Sequence, residues 1–200
     1  MSSSKFAQKA EAAGCDAVIA EGFEAGGHNG REETTTLVLI PAVKKAVKIP
    51  VVAAGGIATG RQLYAVLSLG AEGAQMGTRF VASEEASSHP NFKEMVIQAM
   101  EGDTQLSLKQ LTPVRLLKNK FFTEVQAAEI RGASQEELAH LLGKGRARKG
   151  MFEGDLEQGE LEIGQVSALL DTILPASVII ENTWREFLEA CANPFDQKRD

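Results

Sequence analysis

The sequence carries only two cysteines, Cys15 and Cys191, far apart along the chain. They read as reduced structural thiols, one beside a strand and one on a terminal helix, and not as a disulfide framework. Positive charge is also scarce. Lys and Arg number 21 against 27 Asp and Glu, for a net charge of −6. Nucleic acid is therefore not an expected partner, since phosphate binding wants a basic surface. No apolar run approaches the ~18 residues of a membrane span, so no membrane is expected either. Met1-Ser-Ser-Ser-Lys5 leads straight into a helical pattern with no leader segment, and a cytoplasmic location is expected. The three histidines form no cluster with cysteines or carboxylates at metal-ligand spacing. Neither a Ser-His-Asp arrangement nor a Walker-type loop is present. No low-complexity tract interrupts the chain.

Against these absences stands an ordinary globular composition: 200 residues, 44% hydrophobic and 24% charged, enough for a domain with a core. Phe6–Ala13 reads as a short helix ending at Gly14. Asp16–Glu21 reads as a strand. Thr34–Val47 carries a helical apolar stripe at Leu37, Ile40, Val43 and Val47, with Pro41 expected in its first turn unless the helix starts late. Pro50 opens a second strand, Val51–Ala54. The loop Gly55–Gly60 leads into a helix, Arg61–Leu69, and a third strand, Gly73–Met76, follows. Strands this short and apolar are expected to be buried on both faces, as in a parallel sheet. After Phe80 the pattern turns helical, with Phe92–Met100, Phe121–Arg131, Ser134–Leu142, Ile163–Ile173 and Ala176–Ala192 as candidate helices. Ser134 and Glu137 form a capping box, and Pro175 suits the first position of the last helix. Gly143–Glu160 reads as a long loop. Three parallel strands cannot close a barrel of eight. The alternatives are the C-terminal part of a larger β/α barrel and a small open sheet.

Glycine is concentrated where chemistry would sit. Residues 21–30, Glu-Gly-Phe-Glu-Ala-Gly-Gly-His-Asn-Gly, follow the first strand. The C-terminal ends of parallel strands are where β/α folds bind ligands. Glycines let a backbone approach a ligand closely, and His28 adds a group of the type that titrates near neutral pH. Gly55-Gly56 and Gly77-Thr78 follow the next two strands. Either pair alone is accounted for by tight turns, but both at neighbouring strand ends point to a phosphate site, with the amides of Gly55 and Gly56 and the helix N-terminus beyond them holding the anion. Glu21 and Glu24 flank the histidine loop; orienting His28 or binding substrate is one reading of them, and a solvated or salt-bridged role is an equal alternative. His89 and His140 have no comparable setting.

Three stretches resemble a known family: Glu21–Gly30, Pro50-Val-Val-Ala-Ala-Gly-Gly-Ile-Ala-Thr-Gly60 and Gly70-Ala-Glu-Gly-Ala-Gln-Met-Gly-Thr-Arg-Phe80. They are similar to the nitronate monooxygenases (2-nitropropane dioxygenases), whose superfamily includes the flavin-dependent enoyl-ACP reductases of the second type. The likeness continues through Thr112–Lys120, Glu153-Gly-Asp155 and Gly164-Gln165. It implies an α/β fold, the C-terminal part of a TIM (β/α)8 barrel that binds FMN without a covalent link. Residues 1–90 would then form a partial barrel and residues 91–200 a helical region packed on it. The resemblance implies that Gly26, Gly27, Ala54, Gly55, Gly56, Gln75, Met76, Gly77 and Thr78 contact FMN, the Gly55-Gly56 and Gly77-Thr78 turns holding its phosphate. It makes His28 the catalytic group for a small-molecule nitronate or nitroalkane oxidised with O2. The alternatives are NAD(P)H-dependent reduction of an enoyl thioester and an inactive truncated barrel. In family terms the chain starts at the helix before the sixth strand. Residues 1–200 alone are thus expected to bind FMN weakly and to self-associate, as a homo-oligomer or with a partner that supplies strands.

Overall fold

The computed structural model describes residues 1–195. Positions 196–200, the end of the expected helical region, lie outside the described residues. Helix α1 (Ser4–Ala12) starts where the Ser3 hydroxyl accepts from Phe6 N–H. Strand β1 (Val18–Glu21) follows, then the two-residue strand β2 (Gly27–His28), helix α2 (Thr36–Ala46), strand β3 (Val51–Ala54), helix α3 (Gly60–Ser68), strand β4 (Gly73–Gln75) and the short helix α4 (Thr78–Val81). The three longer strands form a parallel sheet in the order β1-β3-β4, with Val18 opposite Val51 and Val52 opposite Gly73.

That sheet is covered throughout on one face, while on the other only Ala54, 3% exposed, is buried, which corrects the expectation of two fully buried faces. Val18, Ala20, Val51 and Ala53 point into a core with Ala7, Leu39, Ile40, Val43 and Val66 from α1, α2 and α3. On the opposite face Ile19 is 42% exposed, Val52 is half-buried and Gln75 is exposed. Alternate residues of a strand face opposite ways, so apolar character on both faces does not tell which face helices will cover. Pro41 also departs from expectation. Helix α2 starts at Thr36, which puts Pro41 in its second turn.

The second half is less helical than the sequence suggested. Helix α5 (Pro90–Ile97) gives way to strands β5 (Thr104–Ser107) and β6 (Val114–Leu117). These pair antiparallel, and β2 joins the other side of β6, giving a second sheet in the order β2-β6-β5. All four residues of β6 are buried, including Arg115 at 2% exposure. Its guanidinium stacks 4.4 Å from the Phe23 ring and donates to Phe23 O at 2.9 and 3.2 Å. Arg115 thereby ties the second sheet to the loop after β1.

Helices α6 (Lys120–Ile130) and α7 (Gln135–Leu142) cover β6 with Phe121, Phe122, Val125 and Leu138. The Ser134–Glu137 capping box opens α7 as expected. Helix α8 (Arg146–Met151) occupies part of the expected loop. Of the expected helix Ile163–Ile173, only Gln165–Leu169 winds, as a 3-10 turn. The residues before it are held as an extended stretch by β6: Leu117 N–H donates to Leu161 O at 2.9 Å, and Leu116 bridges Glu162. Helix α9 (Ala176–Ala192) has the expected bounds, with Pro175 as its N-cap instead of its first residue. Cys15 and Cys191 are both free and exposed.

Asn119 holds two of these pieces together. Its Oδ1 accepts from Phe122 N–H to cap α6, and its Nδ2 donates to Leu156 O and Gly159 O at 2.8 and 2.9 Å. Asn119→Ala removes the cap and strands two carbonyls. A loss of about 2 kcal/mol is expected in urea unfolding, with the midpoint shifted and the slope unchanged.

Candidate active site

The loop after β1 is built on close backbone approaches. A Cβ on Gly22 would lie 2.1 Å from Thr36 Oγ1, so only glycine fits. Gly22 N–H donates to Ala54 O at 2.9 Å, locking the loop to the end of β3. Glu24 has a structural task. Its carboxylate accepts from Thr36 N–H at 3.0 and 3.1 Å and lies 3.0 Å from Thr36 Oγ1, taking the capping role that Thr35 leaves open. A carboxylate at a helix N-terminus also gains from the helix dipole. The Thr36 hydroxyl lies 2.9 Å from Gly55 O as well, so one side chain joins the first two loops.

Gly55 and Gly56 both have left-handed φ, +86° and +73°. At Gly55 a Cβ would also meet Gly22 O at 2.8 Å. Gly77 differs. Its φ is −85°, and a Cβ there would meet no protein atom within 4 Å. Next to it, Thr78 Oγ1 accepts from Gly164 N–H at 3.0 Å, and Gln165 N–H donates to Glu24 O at 2.9 Å. The segment 162–166 is thus fastened across the strand ends.

These pieces enclose a cavity of about 200 Å³. Of the residues singled out in the sequence, Glu21, Glu24, Gly26, Ala54, Gly55, Gly56, Gln75, Gly77 and Thr78 line it. Three others do not. The side chain of Met76 packs on the core beneath the sheet. Gly27 lies against Glu162, with a φ of +74°. His28 is exposed on β2 and is not part of the lining. The end of α3 is not available to an anion, which corrects its expected share in the phosphate site. Gly60 N–H donates to Glu186 Oε2 of α9 at 2.8 Å, Gln62 N–H to Thr59 Oγ1, and Ala58 and Thr59 N–H to Gln62 Oε1. The two glycine turns are what remains for that role.

The cavity also has a lining that the sequence did not point to: Ile57, Val81, Met151, Glu162, Ile163 and Val166. The stretch Glu160-Leu161-Glu162-Ile163 alternates with the period of a strand, and that alternation is the signal for it. Burial raises the Glu21 carboxyl, opposed by the Met1 amine. Burial likewise raises Glu162, opposed by His28. Glu160, 7% exposed, is pushed to about 7 by burial and then by the charge of Glu162, with Arg146 opposing. Among the described residues, no group of three or more His, Cys, Asp or Glu is placed to hold a metal ion, and no helix is long and apolar enough to cross a membrane.

Glu160 makes a pH prediction. Its folded value, about 7, lies above the reference 4.5, so the folded state holds its proton more tightly. Stability contributed by the protonated form is lost as pH rises from about 4.5 to about 7. Glu160→Gln is therefore expected to stabilise the protein by ~1–3 kcal/mol at pH 8 and to change little at pH 4, as read by urea unfolding at both pH values.

The model of the nitronate monooxygenase family matches residues 1–186. A probable nitronate monooxygenase of Staphylococcus saprophyticus is 39% identical over 190 residues, covering 88% of this chain and 52% of that protein. Among solved structures, FabK from Thermotoga maritima superposes with a TM-score of 0.91 at 44% identity, covering 97% of this chain and 61% of FabK. The nitroalkane oxidase of Streptomyces ansochromogenes superposes with a TM-score of 0.81 at 33% identity, covering 96% and 57%. The chain spans about half the length of the curated relatives it matches. With the family's match running through the histidine loop, both glycine turns and the segment that closes the cavity, the chain belongs to the nitronate monooxygenase family.

Proposed function

We propose that this chain carries the phosphate-holding and proton-transfer part of an FMN-dependent oxidoreductase that oxidises nitroalkanes and nitronates with O2. The observation that carries this reading is Gly77. Neither its φ nor any protein atom around a would-be Cβ demands glycine there, yet it lines the cavity beside Thr78. Close approach of a ligand supplies the missing reason. Gly55 and Gly56, in consecutive left-handed conformations, form the second half of the cradle. The amides and hydroxyl of these turns would hold the phosphate. Gly26, Ala54 and Gln75 would flank the cofactor from the cavity wall. When bound, FMN supplies a two-electron acceptor that O2 reoxidises.

The chain's own chemistry is proton transfer. His28 takes the α-proton of a neutral nitroalkane: the C–H bond breaks, an N–H bond forms on the imidazole, and the electron pair passes into the nitro group to give the nitronate. A nitronate presented as such skips this step. The three parallel strands are read as part of a TIM (β/α)8 barrel. The open inner face of Ile19, Val52 and Gln75 supports that reading, as does a match to about half of each relative. The same open face and sheet edges support self-association, or association with a chain segment that adds strands.

A second reading is FabK-like activity, which in the terms of the resemblance is NAD(P)H-dependent reduction of an enoyl thioester. The higher identity to FabK, 44% against 33% for the nitroalkane oxidase, favours it. Two assays on the flavin-loaded protein separate the readings. Oxygen uptake with propyl-2-nitronate is expected, with little NADH oxidation on crotonyl thioester. The reverse result overturns the nitronate reading in favour of the reductase.

A further inference from the structure

Glu162 lines the cavity but belongs to neither glycine turn, and its neighbour along the sheet is His28. One edge of β6 carries both. His28 opposes Val114, Gly27 opposes Arg115, and Glu162 opposes Leu116. Val114 and Leu116 are two residues apart on one strand, so the residues opposite them leave the sheet on the same side. Gly27 separates the two side chains without a side chain of its own. A Cβ there would lie 2.5 Å from Glu162 Oε2. Glycine at position 27 therefore leaves room for the carboxylate beside the histidine. The electrostatics agree with the geometry: burial raises Glu162, and His28 is the charge that opposes the rise. The interaction acts through space, not through a contact ion pair. Other charges near by have separate settings. Glu160, two residues earlier, repels Glu162 and is itself offset by Arg146. Glu24 is occupied in capping α2, and Glu21 is opposed by the Met1 amine.

We propose that Glu162 is the counter-carboxylate of His28, a positioning residue that stabilises the imidazolium formed when His28 takes the substrate proton. The inference rests on the proton-transfer role given to His28 above. Catalytic hydrogen bonds are often long in ligand-free structures and tighten on binding, so a through-space pair is a competent starting geometry. The carboxylate has an opposite effect on a substrate that is already an anion, because it repels a nitronate in the same cavity.

The test has two arms. In the first, Glu162 is followed by carboxyl-carbon NMR through a pH titration, its signal assigned with Glu162→Gln. In His28→Gln its midpoint is expected to rise, because the opposing cation is gone. An unmoved midpoint overturns the pairing whatever the enzyme's activity. In the second arm, Glu162→Gln is assayed on both substrate forms. Activity on neutral nitroalkane is expected to fall ~tenfold or more, the scale of one unit of charge interaction, while KM for the nitronate falls. An equal loss on both forms, with KM unchanged, marks Glu162 as merely structural and overturns the proposal. Absence of nitronate oxidation by the unsubstituted protein would instead count against the proposed function, and the NMR arm would still decide the pair.

Discussion

His28→Ala is expected to lower the proposed activity on neutral nitroalkanes by ~10²-fold or more, with a much smaller loss on preformed nitronates. The scale is that of a positioned general base, and only the neutral form needs a proton removed. The position of His28 makes the experiment clean. Its backbone pairs with Val114 on β6, while its side chain is exposed and outside the buried core. Truncating an exposed side chain of this kind usually changes stability by no more than ~0.5 kcal/mol. Thermal unfolding should therefore be unchanged while the ratio of neutral to nitronate activity collapses. Oxygen uptake with each substrate form measures the ratio, and an equal, small loss on both would assign His28 a structural role.

Gly77→Ala is expected to weaken flavin binding about tenfold or more and to leave the apoprotein as stable as before. The added methyl meets no protein atom within 4 Å, and a φ of −85° suits alanine. At the start of α4, alanine is expected to be neutral or to stabilise by up to ~1 kcal/mol. Only a ligand seated against the glycine feels the change. Inserting a methyl into a well-packed contact costs ~1–3 kcal/mol, which is roughly tenfold or more in affinity. Gly56→Val is also expected to lose flavin, but it adds backbone strain of ~1–2 kcal/mol at a φ of +73°, so loss of cofactor and loss of fold would be harder to part. The Kd from titration with FMN, followed by flavin fluorescence, is the readout for Gly77→Ala, and an unchanged Kd removes Gly77 from the site.

The parts of this molecule legible in the sequence are those fixed by neighbours in the chain. Val51–Ala54 is a run of small and branched apolar residues after Pro50, and it is β3 with those bounds. Ala176–Ala192 is helical with the bounds read, and Ser134 and Glu137 cap α7 within one turn. The glycine turns at the ends of three strands came from the same local logic, and nine of the singled-out residues line one cavity. What escaped was set by distant partners. Helix α2 is capped by Glu24, which lies 12 residues earlier, and α3 is closed by Glu186, 126 residues on from Gly60. The extended form of 160–163 depends on β6, which itself buries a full arginine against Phe23. A buried Arg115 breaks the apolar run that would have marked β6 as a strand. Glu162 reached the cavity by that same pairing, so no pattern local to the glycine turns could have pointed to it.

The central claim is that the two glycine turns hold the phosphate of a flavin. Titrating the protein with FMN and with riboflavin, by quenching of flavin fluorescence, tests it most directly. The two ligands share the ring system and differ by the phosphate alone. If Gly55, Gly56, Gly77 and Thr78 hold that group, FMN binds at least ~tenfold more tightly than riboflavin, since hydrogen bonds to a charged group are worth ~1.5–3 kcal/mol. Equal affinity for the two flavins would contradict the account.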